Sequence, residues 1–287
     1  MKTFAAINVG SYEQSLKIYT ITKNSGIREV DWIRNRLDLG STFATGKLSH
    51  EVMDELCAVL RNFVSIMEGY RVDDYRACAT SAIRETKNTA IVLDQIMQRT
   101  GVKLDVLSNS EQRFLDYKSI ASRGGFEKII EKGTLVLDIG GGSIQMSLFD
   151  KDKLSATQNM RLGVLRLQEK MSRLNVRPSE NGPLLEELLE AQLSVFRKMY
   201  LKDRVIENII VVDDYISALI LGKLGKVAGS GYLDRDSMAS YMNYLHDHTD
   251  MEIVRYFDTP EENVPLLRIS SAIVRQVALM TDAKMIW

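Results

Sequence analysis

The segment LVLDIGGGSIQMS, residues 135–147, holds the residue types best suited to chemistry on a charged ligand. An apolar run rich in β-formers ends at Asp138 and drops into Gly140, Gly141 and Gly142, after which Ile144, Met146 and Leu148 resume alternation. That pattern reads as strand, tight turn, strand. Glycine has no Cβ, so backbone amides in such a turn can come close to a ligand, and the natural ligand is an anion such as phosphate. Asp138, at the strand end, can face the cation that accompanies a phosphate chain, directly or through water. The bland alternative for the same glycines is a plain turn or bulge.

Such a turn needs a framework. At 287 residues the chain exceeds one ordinary hydrophobic core, which predicts two domains. Lys plus Arg number 37 against 38 for Asp plus Glu, so no global basic field draws the protein to nucleic acid or anionic lipid, and any polyanion must be held locally. Cys57 and Cys78 make no disulfide framework and read as reduced core residues. The N-terminal apolar run breaks at Asn8 and Gly10, unlike a signal peptide, and no span approaches 18 apolar residues; a cytoplasmic protein with no membrane or nucleic-acid partner is expected. His50, His246 and His248 lack metal-ligand spacing and read as surface residues.

Along the chain, strands are predicted over 4–9, 16–21 and 27–37, with the first running into the turn at Gly10 and Ser11. Ser49 caps a helix whose apolar residues Val52, Met53, Leu56, Leu60, Phe63 and Met67 recur at helical spacing, with Gly69 as its C-terminal cap. A strand over 75–80, a helix over 89–100 ended by Gly101, a strand over 102–107 and a helix over 111–123 capped by Ser108 or Asn109 follow. Gly124-Gly125 is the expected hinge, dividing the chain into domains 1–124 and 125–287. Beyond the 135–147 hairpin, helices are expected over 163–174, 184–200, 216–224, 236–247 and 265–279. A break is expected at 178–183, a strand over 205–212, a glycine loop over 225–231 and a last strand from 284. Each half opens with strand, glycine turn and strand, as a duplicated α/β fold would.

Several motifs resemble one family. ATSAIRETKN at residues 79–88 is similar to its A-T-S-A-L-R-E-A-x-N, and DIGGGS at 138–143 to its second phosphate loop. AAINVGS at 5–11 resembles the first loop, and RLG at 161–163 with Arg166-Leu167 resembles L-G-x-x-R-L. The family is that of exopolyphosphatases and guanosine pentaphosphate phosphohydrolases (Ppx/GppA), and the motifs run from Phe4 to about Leu167. The resemblance implies an α/β chain of two duplicated actin-like (ribonuclease H-like) domains with an interdomain cleft. It also implies Mg²⁺-assisted hydrolysis of a terminal phosphoanhydride of polyphosphate or the guanosine alarmone. In that picture Arg84 matches the arginine close to the phosphates and Glu111, in SNSEQR, the carboxylate base. Gly10, Ser11, Gly140, Gly141, Gly142 and Ser143 match the phosphate loops, and Asp138 and Asn8 the metal positions. Family members commonly form homodimers.

This chain departs from the pattern where charge matters most. The leading aspartate of the first loop is Asn8, and the loop's small polar tip is Tyr12-Glu13. The glutamate after G-G-G-S-T is Gln145, the second glutamate of the base motif is Gln112 and its arginine is Phe114. The second domain's G-x-G-G-T loop aligns with Val211, Val212, Asp213, Asp214 and Tyr215, where two acids would repel a polyanion or, in a more pointed reading, found a new cation site. A unit charge pair near 4 Å is worth about 4 kcal/mol at an effective dielectric of 20, so amides for two carboxylates should weaken catalysis. Two hypotheses follow: a hydrolase of attenuated activity, and a non-catalytic relative that binds an alarmone, nucleotide or protein partner. The plain alternatives are Arg84 paired on the surface with Glu85 or Glu111, Glu111 as a first-turn charge on its helix, and Asp213 with Asp214 as a solvated strand end.

Overall fold

A computed structural model describes residues 1–24, 26–122, 124–174, 178–213, 215 and 233–287. The chain packs as two compact units, Met1–Gln112 and Arg113–Trp287. The division falls ahead of Gly124-Gly125, inside a helix, because Tyr117 and Ile120 of that helix pack in a cluster with Phe126, Val136 and Phe149 of the second unit. Gly124 and Gly125 both take left-handed φ and lead into a short helix.

Unit 1 opens with a meander, β1 (Lys2–Val9), β2 (Glu13–Thr22) and β3 (Gly26–Arg36). The chain then crosses through α1 (Ser41–Thr45) and α2 (His50–Gly69) to β4 (Asp74–Ala79). It continues through α3 (Ser81–Arg84) and α4 (Thr89–Thr100) to β5 (Leu104–Val106) and enters α5 (Asn109–Ser122). The sheet order is β3-β2-β1-β4-β5, with the meander antiparallel and β1, β4 and β5 parallel. Alternation places Ala5, Ile7, Val9, Leu16 and Ile18 on one face, where they share a core with Leu56, Leu60 and Phe63 of α2 and Val92 and Ile96 of α4. The Ser49 side chain accepts from the Val52 amide and caps α2 as expected. Gly69 is not the C-terminal cap of that helix but its last residue; Tyr70 caps it, and Arg71 takes the left-handed φ of 51° that turns the chain.

Unit 2 continues from α5 through α6 (Phe126–Ile130) into a second meander, β6 (Thr134–Ile139), β7 (Ile144–Asp150) and β8 (Lys153–Met160). After α7 (Val164–Leu174) and α8 (Pro178–Phe196), β9 (Asn208–Asp213) joins parallel to β6. Then come β10 (Leu233–Asp234), α9 (Arg235–Asp247), α10 (Asp250–Phe257), α11 (Val264–Leu279) and β11 (Met285–Ile286). The sheet order β10-β11-β9-β6-β7-β8 contains the unit 1 order again, with β8-β7-β6-β9-β11 in the places of β3-β2-β1-β4-β5. The fold is the duplicated α/β architecture read from the sequence. Four details differ from that reading: β8, α6 and α10 fall where no element is expected, and α8 begins at Pro178 and runs through Pro183, so no break falls at 178–183. The helix expected over 216–224 and the loop over 225–231 lie outside the described residues.

Candidate functional site

The glycine turn of unit 2 is built from below by α7. Gly140 N–H donates to Ser143 O at 2.9 Å and closes the turn between β6 and β7. The amides opening α7 then donate back into it: Val164 to Gly140 O (3.0 Å), Leu165 to Gly141 O (3.0 Å) and Arg166 to Gly141 O (3.1 Å). Arg166 Nε donates to Gly142 O at 2.8 Å. These contacts spend helix donors that have no partner inside the helix. In a planar trans peptide the N–H points opposite to the C=O. With the carbonyls of Gly140, Gly141 and Gly142 turned toward α7, the amides of Gly141, Gly142 and Ser143 face the other way. Successive amides on one side are an anion nest. Gly163 permits the approach, since a Cβ there would stand 2.3 Å from Gly141 O and Ser143 N.

Beside this turn lies an oxygen-rich patch on the sheet face covered by α5. Register places Asp138 of β6, Gln145 of β7 and Asn159 of β8 in one row. Gln145 Nε2 donates to Asp138 Oδ2 at 3.3 Å, and Asn159 Nδ2 donates to Ser143 Oγ at 3.1 Å. From α5, Asp116 hydrogen-bonds Asp138; burial pushes its carboxyl up to about 6, and the bond to Asp138 pulls the other way. Asp116 Oδ2 and Gln145 Oε1 are shielded from solvent and have no hydrogen-bond partner among the described residues. An all-oxygen donor set is what hard divalent cations take. Asp138 and its neighbours therefore fit Mg²⁺ by donor type.

In unit 1 the turn between β1 and β2 is closed in the same way. Gly10 N–H donates to Glu13 O at 3.0 Å, and a Cβ on Gly10 would meet that oxygen at 2.7 Å, so the position needs glycine. Ser11 is buried, with its hydroxyl 2.9 Å from that of Ser81 at the start of α3, and its carbonyl accepts from Leu39. Its side chain thus ties the turn to α3. Asn8 is exposed on the sheet face opposite Ile7 and Val9, in a row with Ser15 and Cys78.

Arg84 ends α3 and donates through Nη1 to Leu107 O at 2.7 Å and to Gln112 Oε1 at 3.4 Å. The arginine therefore bridges the ATSAIRETKN segment to the start of α5. Glu111 completes a capping box: its Oε2 accepts from Ser108 N at 2.9 Å while Ser108 Oγ accepts from Glu111 N at 3.2 Å. Those bonds to Ser108, aided by the Arg76 charge, hold its carboxyl below the usual range. Asp213 is not a solvated strand end, because it accepts from Ser270 Oγ and from the Tyr215 amide at 2.5 Å. Asp214 lies outside the described residues. Cys57 is buried and Cys78 half-buried, both as free thiols. His50 and His246 are exposed, whereas His248 stacks on Tyr244 with centroids 3.8 Å apart. Among the described residues no helix is long and apolar enough to cross a membrane, and no group of three or more His, Cys, Asp or Glu could hold a metal.

Asp116 stands on the face of α5 that meets the unit 2 sheet. The signal is in the sequence: Arg113, Asp116, Tyr117 and Ile120 recur at helical spacing, so one acid stands on the inward stripe of an otherwise polar helix.

The model of the Ppx/GppA phosphatase family matches residues 21–247. A bifunctional 3-dehydroquinate synthase/phosphatase of Fusobacterium nucleatum is 25% identical over 173 residues, 58% of this chain and 26% of that protein. Exopolyphosphatase 1 of Mycobacterium leprae is 27% identical over 155 residues, 54% of this chain and 44% of that protein. The matched stretch thus spans less than half the length of these relatives. Among solved structures, an exopolyphosphatase from Cytophaga hutchinsonii superposes with a TM-score of 0.85 at 18% identity, over 99% of this chain and 93% of that one. The Aquifex aeolicus Ppx/GppA family member gives 0.76 at 18% identity over 99% and 92%. At these identities the superpositions show the fold.

Proposed function

Since the chain belongs to the Ppx/GppA phosphatase family, we propose that it hydrolyses terminal phosphoanhydrides of polyphosphate or guanosine pentaphosphate, with attenuated activity. The observation that supports this best is the set of three amides at Gly141, Gly142 and Ser143 turned away from α7 beside Asp138. Preformed donors of this kind meet the charge of a phosphoryl group without reorganising. Glu111 is the carboxylate that takes a proton from water; the water oxygen bonds to the terminal phosphorus as the bridging P–O bond breaks, releasing orthophosphate and a chain one phosphate shorter. Arg84 neutralises phosphate charge, and Gly10 and Ser11 form the first phosphate turn. Asp138 and Asn8 are the oxygen groups for Mg²⁺, which when bound offsets the charge of the chain. Attenuation follows from the amides at Asn8 and Gln145.

A second reading, a non-catalytic protein that binds the same ligands, is favoured by one observation: the Glu111 carboxylate is already committed to capping α5. Phosphate release from polyphosphate and from the guanosine alarmone, with Mg²⁺ and with Glu111→Gln as control, separates the two. Turnover that disappears in the variant supports hydrolysis. No turnover, but a thermal shift with one ligand, supports binding alone, and the absence of both removes both readings.

A further inference from the structure

We infer that Asp116, on α5, is the second carboxylate of a cation site in unit 2, standing in from the helix for the acid that position 145 lacks. The inference rests on the reading that a divalent cation accompanies the phosphate chain, and it names the residue that makes such a site workable in this sequence.

Three observations carry it. The Asp116 and Asp138 carboxyls lie within interaction range of each other, and two carboxylates so placed repel unless a proton or a cation stands between them. Gln145 is only 3% exposed, and its amide end is fixed on this pair by the 3.3 Å bond from Nε2 to Asp138 Oδ2. That bond leaves Gln145 Oε1 buried without a partner, as Asp116 Oδ2 is. Buried acceptors without donors are costly unless an unseen group satisfies them. A hard cation answers all three at once, because Mg²⁺ is commonly held by one or two carboxylates while waters and substrate phosphates complete its shell. Position also suits that role, since Asp138 stands two residues before Gly140, where the anion nest begins. Charge is conserved as well: a glutamate at 145 with Asp138 would give two carboxylates, and Asp116 with Asp138 gives two again. Asp116 lies outside the base motif matched by residues 108–114, on the helix and not on the strand that carries Gln145.

The test titrates the full chain, stripped of metal, with Mn²⁺ and follows the free ion by electron paramagnetic resonance, which requires no turnover. Asp116→Asn should weaken Mn²⁺ binding about tenfold or more, and adding Gln145→Glu to it should restore most of the loss. Circular dichroism of each variant confirms that it is folded, and the rescue itself rules out misfolding as the cause. Wild-type affinity in Asp116→Asn, or no Mn²⁺ binding by the unmodified chain, overturns the inference. Parallel phosphate-release assays keep it apart from the hydrolase reading. Turnover with Mn²⁺ affinity indifferent to Asp116 sinks only the inference, whereas Asp116-dependent Mn²⁺ binding without turnover or ligand binding supports it and sinks only the hydrolase reading.

Discussion

At the scale of single residues, the patch beside the unit 2 turn stores unfavourable charge when no metal is bound. Burial raises the Asp116 carboxyl from an ordinary 3.8 to about 6. The sign follows from the direction. Below the unfolded value both states are protonated and Asp116 contributes nothing; between about 4 and 6 the unfolded chain ionises while the folded state keeps its proton, so stability falls as pH rises, and above about 6 the full cost of the buried ion is in place. Asp116→Asn keeps the shape and can donate to Asp138. In chelator at about pH 8 it is therefore expected to stabilise the protein by roughly 1–3 kcal/mol, a gain that shrinks as pH falls through 6 toward 4. Thermal melts across that range check it; a variant less stable than wild type at high pH would contradict the burial cost. Glu111 behaves oppositely. Glutamine can serve in a capping box, so Glu111→Gln should leave the melting temperature nearly unchanged while removing any proton transfer from water. A drop in stability as large as the drop in phosphate release would assign Glu111 to the helix alone.

Among elements, the decisive contact is the start of α7 against the glycine turn. Gly163→Ala would place a methyl 2.3 Å from backbone atoms of Gly141, Gly142 and Ser143, none of which can rotate away as a side chain would. The expected cost is about 2–4 kcal/mol by urea unfolding, together with weaker tripolyphosphate binding. Gly140→Ala, whose Cβ meets only Ser143 O at 3.2 Å, should cost clearly less. Ser108→Ala removes the hydroxyl of the α5 cap and should lower stability by about 1 kcal/mol. Elements with strong period were legible in the sequence. The α2 stripe and the Ile144-Met146-Leu148 alternation were read correctly because their buried faces are continuous. Strand β8 was not, because most of KLSATQNM is exposed or half-buried at the sheet edge and shows no apolar alternation. Helices α6 and α10 are too short to show a period. The glycines at 140–142 announced a turn, but their use depends on α7, and Asp116 becomes meaningful only when α5 lays it against β6. Contacts between residues distant in sequence leave no local trace.

On the scale of the whole molecule, one topology is used twice, and the two copies have diverged in their turns. In unit 1 the Ser11 hydroxyl is tied to Ser81, and Asn8 stands at the strand end where unit 2 has Asp138. In unit 2 the amide nest persists beside an acid pair. The net charge of −1 supplies no long-range attraction for a polyanion. If the proposed function holds, affinity for a polyanion comes from backbone amides and a small number of cations, some of which also hold the fold, as Arg84 and Arg166 do. Amides are dipoles, and their contribution is little screened by salt, whereas each arginine contact releases about one counterion. Binding of inorganic tripolyphosphate should accordingly weaken about tenfold or less between low and physiological salt, against the thousandfold or greater losses of proteins that neutralise many phosphates. Calorimetric titration at several salt concentrations measures the slope. A steep slope would mean that an extended basic surface, not the amide turn, holds the chain, and the assignment of the phosphate site to Gly140, Gly141, Gly142 and Ser143 would fail with it.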